Sequence, residues 1–286
     1  MVKPNLFVIG SQKSGTSFFH QLLNAHPQIF MSEFKEPNYF VLESRWSKGE
    51  TWYLRHFDEV TEERVIGESS TDYTKLPRFQ GVPQRIAAFN PDVRFIYIMR
   101  DPIERTISHY WWRVRFHEES RDIFRAIKED PYFRSVSNYG LQLRPYFELF
   151  GRERVKILTF EEIITSTKEV MRDVFSWLGV NSTHDPVYSK GIVNATAEVI
   201  EQVRGKGLLN RFRYSNLWNA VGPNIPAIVR QHAKKFAVRN IDRRTQDRRH
   251  VIKYLRPIQQ NETEALRELL DRSFPEWKTL YGTFAP

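Results

Sequence analysis

The sequence predicts an α/β fold: a doubly wound, mainly parallel sheet flanked by helices, with an irregular, mostly helical C-terminal region. Three observations predict it. Leu6-Phe-Val-Ile9 is a short apolar run that ends at a Gly/Ser cluster and passes straight into a helical pattern. Strand, glycine loop and helix in that order open a βαβ unit. Val93 to Met99 (VRFIYIM) has the strongest strand character in the chain, and Pro102 follows at a position that suits a first helical turn. Strand-like and helix-like segments then keep alternating as far as Gly179, the pattern of a parallel sheet covered on both faces.

The elements follow from the same rules. Thr16 to Ala25 carries Phe18, Phe19, Leu22 and Leu23 on one side and reads as a helix ending near His26-Pro27. Phe30 to Phe40 reads as loop, and Val65-Ile66-Gly67 as a weak strand. Val82 to Asn90 is helical and stops at Pro91; a further helix runs from Pro102 through Tyr110 and Trp112. Tyr139 to Phe150 is a helix closed by Gly151, Val155 to Phe160 a strand, and Glu161 to Leu178 one helix closed by Gly179. Residues 181–245 are broken by Gly205, Gly207, Gly222, Pro223 and Pro226 and are expected to be irregular with short helices. Glu262 to Phe274 is the last amphipathic helix.

Length and composition narrow the class. The 286 residues fit one large domain with a sizeable core, so 1–286 is read as a single unit. The formal charge of +9 favours anionic partners without choosing among them. With no cysteine, a disulfide framework, a thiolate zinc site and a cysteine nucleophile are excluded. No apolar run is long enough for a transmembrane helix, and Leu6 to Ile9 is too short for a signal peptide, so the chain is expected to be cytoplasmic.

The chemistry starts at Gly10-Ser11-Gln12-Lys13-Ser14-Gly15-Thr16-Ser17. A glycine loop between a strand and a helix N-terminus turns backbone N–H groups toward a phosphate, and the helix dipole adds a favourable field. The spacing is that of the P-loop, G-x-x-x-x-G, so the fold is P-loop-like. A nucleoside-triphosphate P-loop would continue with Lys, and here that position is Thr16; the lysine lies inside the loop, at Lys13. A second anion site follows VRFIYIM. Where a magnesium-dependent enzyme would end this strand in an acid, the chain has Arg100, placed to grip an anion bidentately. Ser108 follows two helical turns on, while Asp101 and Arg105 stand at i, i+4 spacing, which would let them pair with one another.

Two phosphate sites on neighbouring strands point to a nucleotide phosphorylated at two ribose positions. GSQKSGTS resembles the 5′-phosphosulfate loop of the sulfotransferases, and RDPIERTISHY resembles their 3′-phosphate motif, in the same order and separation. Lys35-Glu36-Pro37-Asn38-Tyr39-Phe40 resembles the K-E-x-x-F-F segment of the heparan-sulfate-type and bacterial carbohydrate-type branch. The resemblance covers residues 5–180 well, which makes 1–180 the nucleotide-binding core and leaves 181–286 as a variable helical or lid region. It implies the donor 3′-phosphoadenosine 5′-phosphosulfate, no metal, and transfer of a sulfuryl group to a hydroxyl or amine of a carbohydrate, a glycolipid or a small metabolite. Gly10, Ser11, Gln12, Lys13, Ser14, Gly15, Thr16 and Ser17 would form the 5′ cradle, with Lys13 also at the bridging oxygen. Arg100 and Ser108 would hold the 3′-phosphate, and Glu36 would be the general base. In Gly67-Glu68-Ser69-Ser70-Thr71-Asp72-Tyr73 the family often has Lys after Glu; Ser69 stands there instead. Glu68 or Asp72 would then line the acceptor cleft, with His109 a further alternative base, while His26 reads as a structural residue at a helix end.

Two other readings remain open on residues alone. A P-loop kinase or ATPase would need Lys at position 16 and an acid after the second strand, and the chain has neither. The basic stretch from Arg239 to Arg256 reads by default as a solvated surface; it would also serve a polyanion-binding module, a lid, or a docking strip for an acidic acceptor. No nucleic-acid partner is expected, and the oligomeric state is not legible.

Overall fold

The computed structural model describes residues 2–41, 43–185, 198–203 and 238–282. Its centre is a five-stranded sheet in the order β2-β3-β1-β4-β5, made of β1 (Leu6–Gly10), β2 (Ile29–Met31), β3 (Val65–Ser69), β4 (Arg94–Met99) and β5 (Val155–Thr159). Every pairing in it is parallel. β1 lies in the middle, with Val8 beside Ser69 on one side and Ile96 on the other. Covered on both faces, β1 is buried throughout, which is why it is written as an unbroken apolar run.

The alternation of side chains along β1 divides the core. Phe7 and Ile9 face a layer with Phe95, Tyr97 and Tyr73, while Leu6 and Val8 face a layer with Ile96 and Ile98. The second layer is covered by α1 (Thr16–Asn24), α9 (Phe160–Thr165) and α10 (Thr167–Leu178). The first is covered by α3 (Gly49–Leu54), α4 (Val82–Phe89), α5 (Pro102–Arg115), α8 (Tyr139–Phe150) and α11 (Arg249–Leu270). Short helices α2 (Glu43–Trp46), α6 (Ile123–Glu129), α7 (Tyr132–Ser135) and α12 (Lys278–Tyr281) fill the edges. Helices on both faces of a parallel sheet are the doubly wound arrangement the sequence predicts.

Four details differ from expectation. Ile29–Met31 is a strand at the sheet edge, entering the stretch read as loop. The helix expected over 161–178 is two, because Ser166 leaves helical geometry; α9 carries its own capping box between Thr159 and Glu162. The last long helix begins at Arg249, well before Glu262, and ends at Leu270. Its first turns look polar in sequence and contain Pro257, yet Val251, Ile252 and Leu255 are buried. Finally, Val199–Val203 (β6) and Val238–Asp242 (β7) pair as an antiparallel ribbon within the region expected to be irregular. Gly205, Gly207, Gly222, Pro223 and Pro226 lie outside the described residues. Among the described residues no helix is long and apolar enough to cross a membrane.

Candidate active site

The loop between β1 and α1 is bound from beneath. Ser11 N–H donates to Ile98 O at 2.7 Å, Ser14 N–H donates to Ser11 O at 3.1 Å, and the two hydroxyls lie 2.6 Å apart. Both serines are fully buried. With its lower side fixed, the loop turns through two left-handed residues, Lys13 (φ 74°) and Gly15 (φ 84°). At Gly15 the glycine is needed twice over, since a Cβ there would lie 2.7 Å from the Phe160 ring as well as on an unfavourable backbone. The upper side of the loop, with Gln12, Lys13, Gly15, Thr16 and Ser17, lines a cavity of about 910 Å³. Gly10, Ser11 and Ser14 are absent from that wall and instead shape the turn.

The second motif meets the first directly. Arg100, just past β4, lines the same cavity, as does Ser108 on α5. Its guanidinium donates from Nη1 to Lys13 O at 3.2 Å and lies 4.9 Å from the centroid of Phe160. Asp101 and Arg105 do not pair. Asp101 is the N-cap of α5, accepting from the N–H groups of Ile103 and Glu104, and its other oxygen accepts from Thr279 and Leu280 N–H at 2.8 and 3.0 Å. Arg105 is fully buried and turns the other way, donating to Ser137 Oγ, to Phe133 O and, at 3.5 Å, to Gln12 O. Burial, and then the positive charges of Arg100, Arg115, Arg243 and Arg105, lower the Lys13 ammonium to about 8.

The cavity wall also carries Lys35, Glu36, Thr71, Asp72, Lys75 and Arg78. Glu36 Oε1 accepts from Lys35 Nζ at 3.1 Å and from Thr71 Oγ1 at 3.2 Å. Asp72 is on this wall, paired with Lys75. Glu68 is not. It is completely buried and accepts from Tyr73 OH at 2.6 Å, Ser70 Oγ at 2.7 Å and Tyr53 OH at 3.2 Å. Burial raises its carboxyl to about 7 against the lowering effect of those three hydroxyls. Ser69 is also buried and meets His20 Nδ1 at 2.8 Å. His109 lines the cavity but is held well below its usual range by burial and then by surrounding cations, Arg105 first. His26 packs 4.5 Å from Phe175, with Nε2 2.9 Å from Asn181 O, as fits a structural residue.

The site also contains residues that the motifs did not name. Trp112 and Arg115 stand at i+4 and i+7 from Ser108 on α5 and line the cavity with it, so the helical period could have found them. Arg243 joins the wall from just beyond β7; the basic stretch that contains it is visible in the sequence, but nothing local singles out this arginine from its neighbours. The basic stretch is therefore not one solvated face: Arg248 pairs with Glu104 and Arg256 donates to Thr279 O at 2.8 Å, while Arg249 and Lys253 are exposed. The side chains of Arg239 and Arg244 lie outside the described residues.

Comparison with known proteins gives the family and the fold. Residues 3–204 match the family model for the sulfotransferase domain. The chain is 33% identical over 121 residues to the membrane-associated sulfotransferase kil1 of Dictyostelium discoideum, covering 41% of this chain and 25% of that protein. It is 29% identical over 174 residues to heparan sulfate glucosamine 3-O-sulfotransferase 5 of Mus musculus, covering 57% of this chain and 49% of that protein. The chain thus spans a quarter to about half the length of these relatives. A crystal structure of a sulfotransferase from Alicyclobacillus acidocaldarius superposes with a TM-score of 0.69 at 24% identity, covering 97% of this chain and 100% of that one, and so shares the fold. With the glycine loop, the arginine after β4 and the family match in agreement, the chain belongs to the sulfotransferase domain family.

Proposed function

We propose that this chain transfers a sulfuryl group from 3′-phosphoadenosine 5′-phosphosulfate to a hydroxyl or amine of a carbohydrate acceptor. The observation that carries the reading is that Lys13, Arg100, Ser108 and Glu36 all face one cavity. Its wall brings Lys13 together with Arg100, Arg115 and Arg243, and burial followed by these positive charges lowers the lysine. The same wall presents a carboxylate, Glu36. A donor with phosphates at two ribose positions meets the first requirement. The Thr16 and Ser17 end of α1 and Lys13 take the 5′ side, Arg100 and Ser108 the 3′-phosphate, and Gly15 gives the close backbone approach. Residues 1–180 supply this core, and Arg243 brings the C-terminal region to it.

In the reaction, Glu36 accepts the proton of the attacking hydroxyl as its oxygen bonds to sulfur. The bond from sulfur to the bridging oxygen breaks in line, and Lys13 Nζ faces the negative charge that gathers on the leaving phosphate. The names of the heparan sulfate relatives support a saccharide acceptor. The test has two arms. Calorimetry in the presence of a chelator should show 3′-phosphoadenosine 5′-phosphate binding far more tightly than adenosine 5′-phosphate; equal affinities would sink the donor assignment. Labelled donor, offered with a panel of glycan, lipid and small-molecule acceptors, should label a glycan; transfer to a lipid or small molecule alone would overturn the acceptor class.

A further inference from the structure

The loop that carries Glu36 is bent in a way its sequence does not favour. Glu36 has φ 63° and Asn38 φ 48°, two non-glycine residues in the left-handed region within three positions. Surrounding contacts must offset that strain. Glu36 N–H donates to Ser69 O at 2.9 Å, Arg45 Nη1 donates to Glu36 O at 2.7 Å and also to Pro37 O, and Asn38 N–H donates to Ser70 Oγ at 3.0 Å. The last contact depends on where the Ser70 hydroxyl points. That hydroxyl has one proton, and it goes to Glu68 Oε2 at 2.7 Å, which leaves the oxygen's lone pairs for Asn38. Glu68 is itself immobilised by the Tyr53 and Tyr73 hydroxyls and by complete burial.

We infer that Glu68 is a positioning residue: through Ser70 it fixes the backbone of residues 36–38 and so aims the Glu36 carboxylate into the cavity. Glu68 is not among the residues that line the cavity, and its hydrogen-bonded route to the reaction runs through Ser70 to the loop that carries Glu36. This extends the reading of Glu36 as the base and rests on it for the catalytic consequence, but not for the structural one. It also gives a role to two residues of the segment 67–73, Glu68 and Ser70, that do not line the cavity.

Hydrogen exchange of the full chain with 3′-phosphoadenosine 5′-phosphate bound tests it. In Glu68→Gln, and separately in Ser70→Ala, peptides spanning residues 34–40 should exchange about tenfold faster or more, while peptides spanning 10–17 stay as in the wild type. Unchanged exchange at 34–40 in both variants would overturn the inference; Ser70→Ala keeps the test open if the glutamine variant fails to fold. Turnover with labelled donor and N-desulfated heparin supplies the second readout. Either variant should lower kcat by about 10- to 100-fold with nucleotide affinity unchanged. In a Glu36→Gln background, Glu68→Gln should cost less than about twofold more. An equal loss in both backgrounds would show that Glu68 does not act through Glu36. If exchange at 34–40 rises but Glu36→Gln itself turns over normally, the positioning stands and the assignment of the base falls.

Discussion

Arg100 Nη1 donates to the main-chain oxygen of Lys13 at 3.2 Å. The residue expected to grip one phosphate thus also braces the loop expected to hold the other, so the two expected anion sites are mechanically joined. Replacing Arg100 by Ala should remove a ligand and loosen a cradle together. Affinity for 3′-phosphoadenosine 5′-phosphate should fall by about 2–5 kcal/mol. Arg100→Lys should recover only part, because an ammonium restores charge without the planar fork. Calorimetry reads both, and an unchanged affinity in the alanine variant would remove Arg100 from the site.

On the proposed function, Lys13 ties nucleotide binding to pH. Its folded-state value is lowered to about 8 from 10.5, first by burial and then by neighbouring guanidinium groups. Between those values the unfolded chain holds a proton that the empty folded protein has lost, so this group makes stability rise with pH across that window. An anion in the loop favours the ammonium again. Binding of 3′-phosphoadenosine 5′-phosphate should therefore take up a proton at about pH 8.5, and affinity should decline as pH rises beyond about 8. Titrations in buffers of different ionisation enthalpy measure the uptake, which Lys13→Met should abolish. Uptake that survives in that variant belongs to another group.

For Lys13→Ala the loss should appear mainly in turnover, since charge on the leaving oxygen develops only in the transition state. A drop in kcat equivalent to about 3–4 kcal/mol is expected. Weakened binding with normal turnover at saturation would assign the lysine to the ground state.

Glu36→Gln keeps the shape of the side chain and the acceptor oxygen that Lys35 and Thr71 use. Nucleotide affinity should hold, kcat should fall by about two to four orders of magnitude, and the acidic limb of the pH–rate profile should disappear. If the limb and the rate persist, Asp72 is the next carboxylate on the same wall.

Glu68 predicts a separate pH effect on stability. Burial lifts its folded-state value to about 7 from 4.5. Over that interval the folded protein holds a proton that the unfolded chain has released, so the Glu68 contribution falls as pH rises from about 4.5 to about 7. Urea midpoints measured across the interval should show a shallower slope for Glu68→Gln than for the wild type. Parallel curves would mean that Glu68 stays ionised throughout.

What the sequence made legible follows from distance along the chain. The loop from Gly10 to Ser17 and the pair Arg100 and Ser108 are local patterns, each set by one strand-to-helix junction, and both arrive in the same cavity. Trp112 and Arg115 were within reach by helical spacing from Ser108. Lys75 was not, and Arg243 was visible only as one member of a basic stretch, since their positions depend on a turn and a ribbon that fold back from elsewhere. Arg105 shows the limit of spacing rules: i, i+4 from Asp101 allows a pair, but burial against Ser137 and Phe133 takes the guanidinium away. The start of α11 was hidden because Arg248, Arg249 and Lys253 look like surface, whereas the apolar residues between them pack inward.

Arg243, standing on the cavity wall, has a consequence for the order in which the protein matures. Chains leave the ribosome N-terminus first. All five parallel strands have emerged once Thr159 is clear, and with them the glycine loop and Arg100. Arg243 comes much later, and so do the Thr279 and Leu280 amides that hold Asp101 at the head of α5. A nascent chain can assemble the sheet and still lack the part of the cavity wall that Arg243 supplies, so the cavity is completed well after the sheet that carries it.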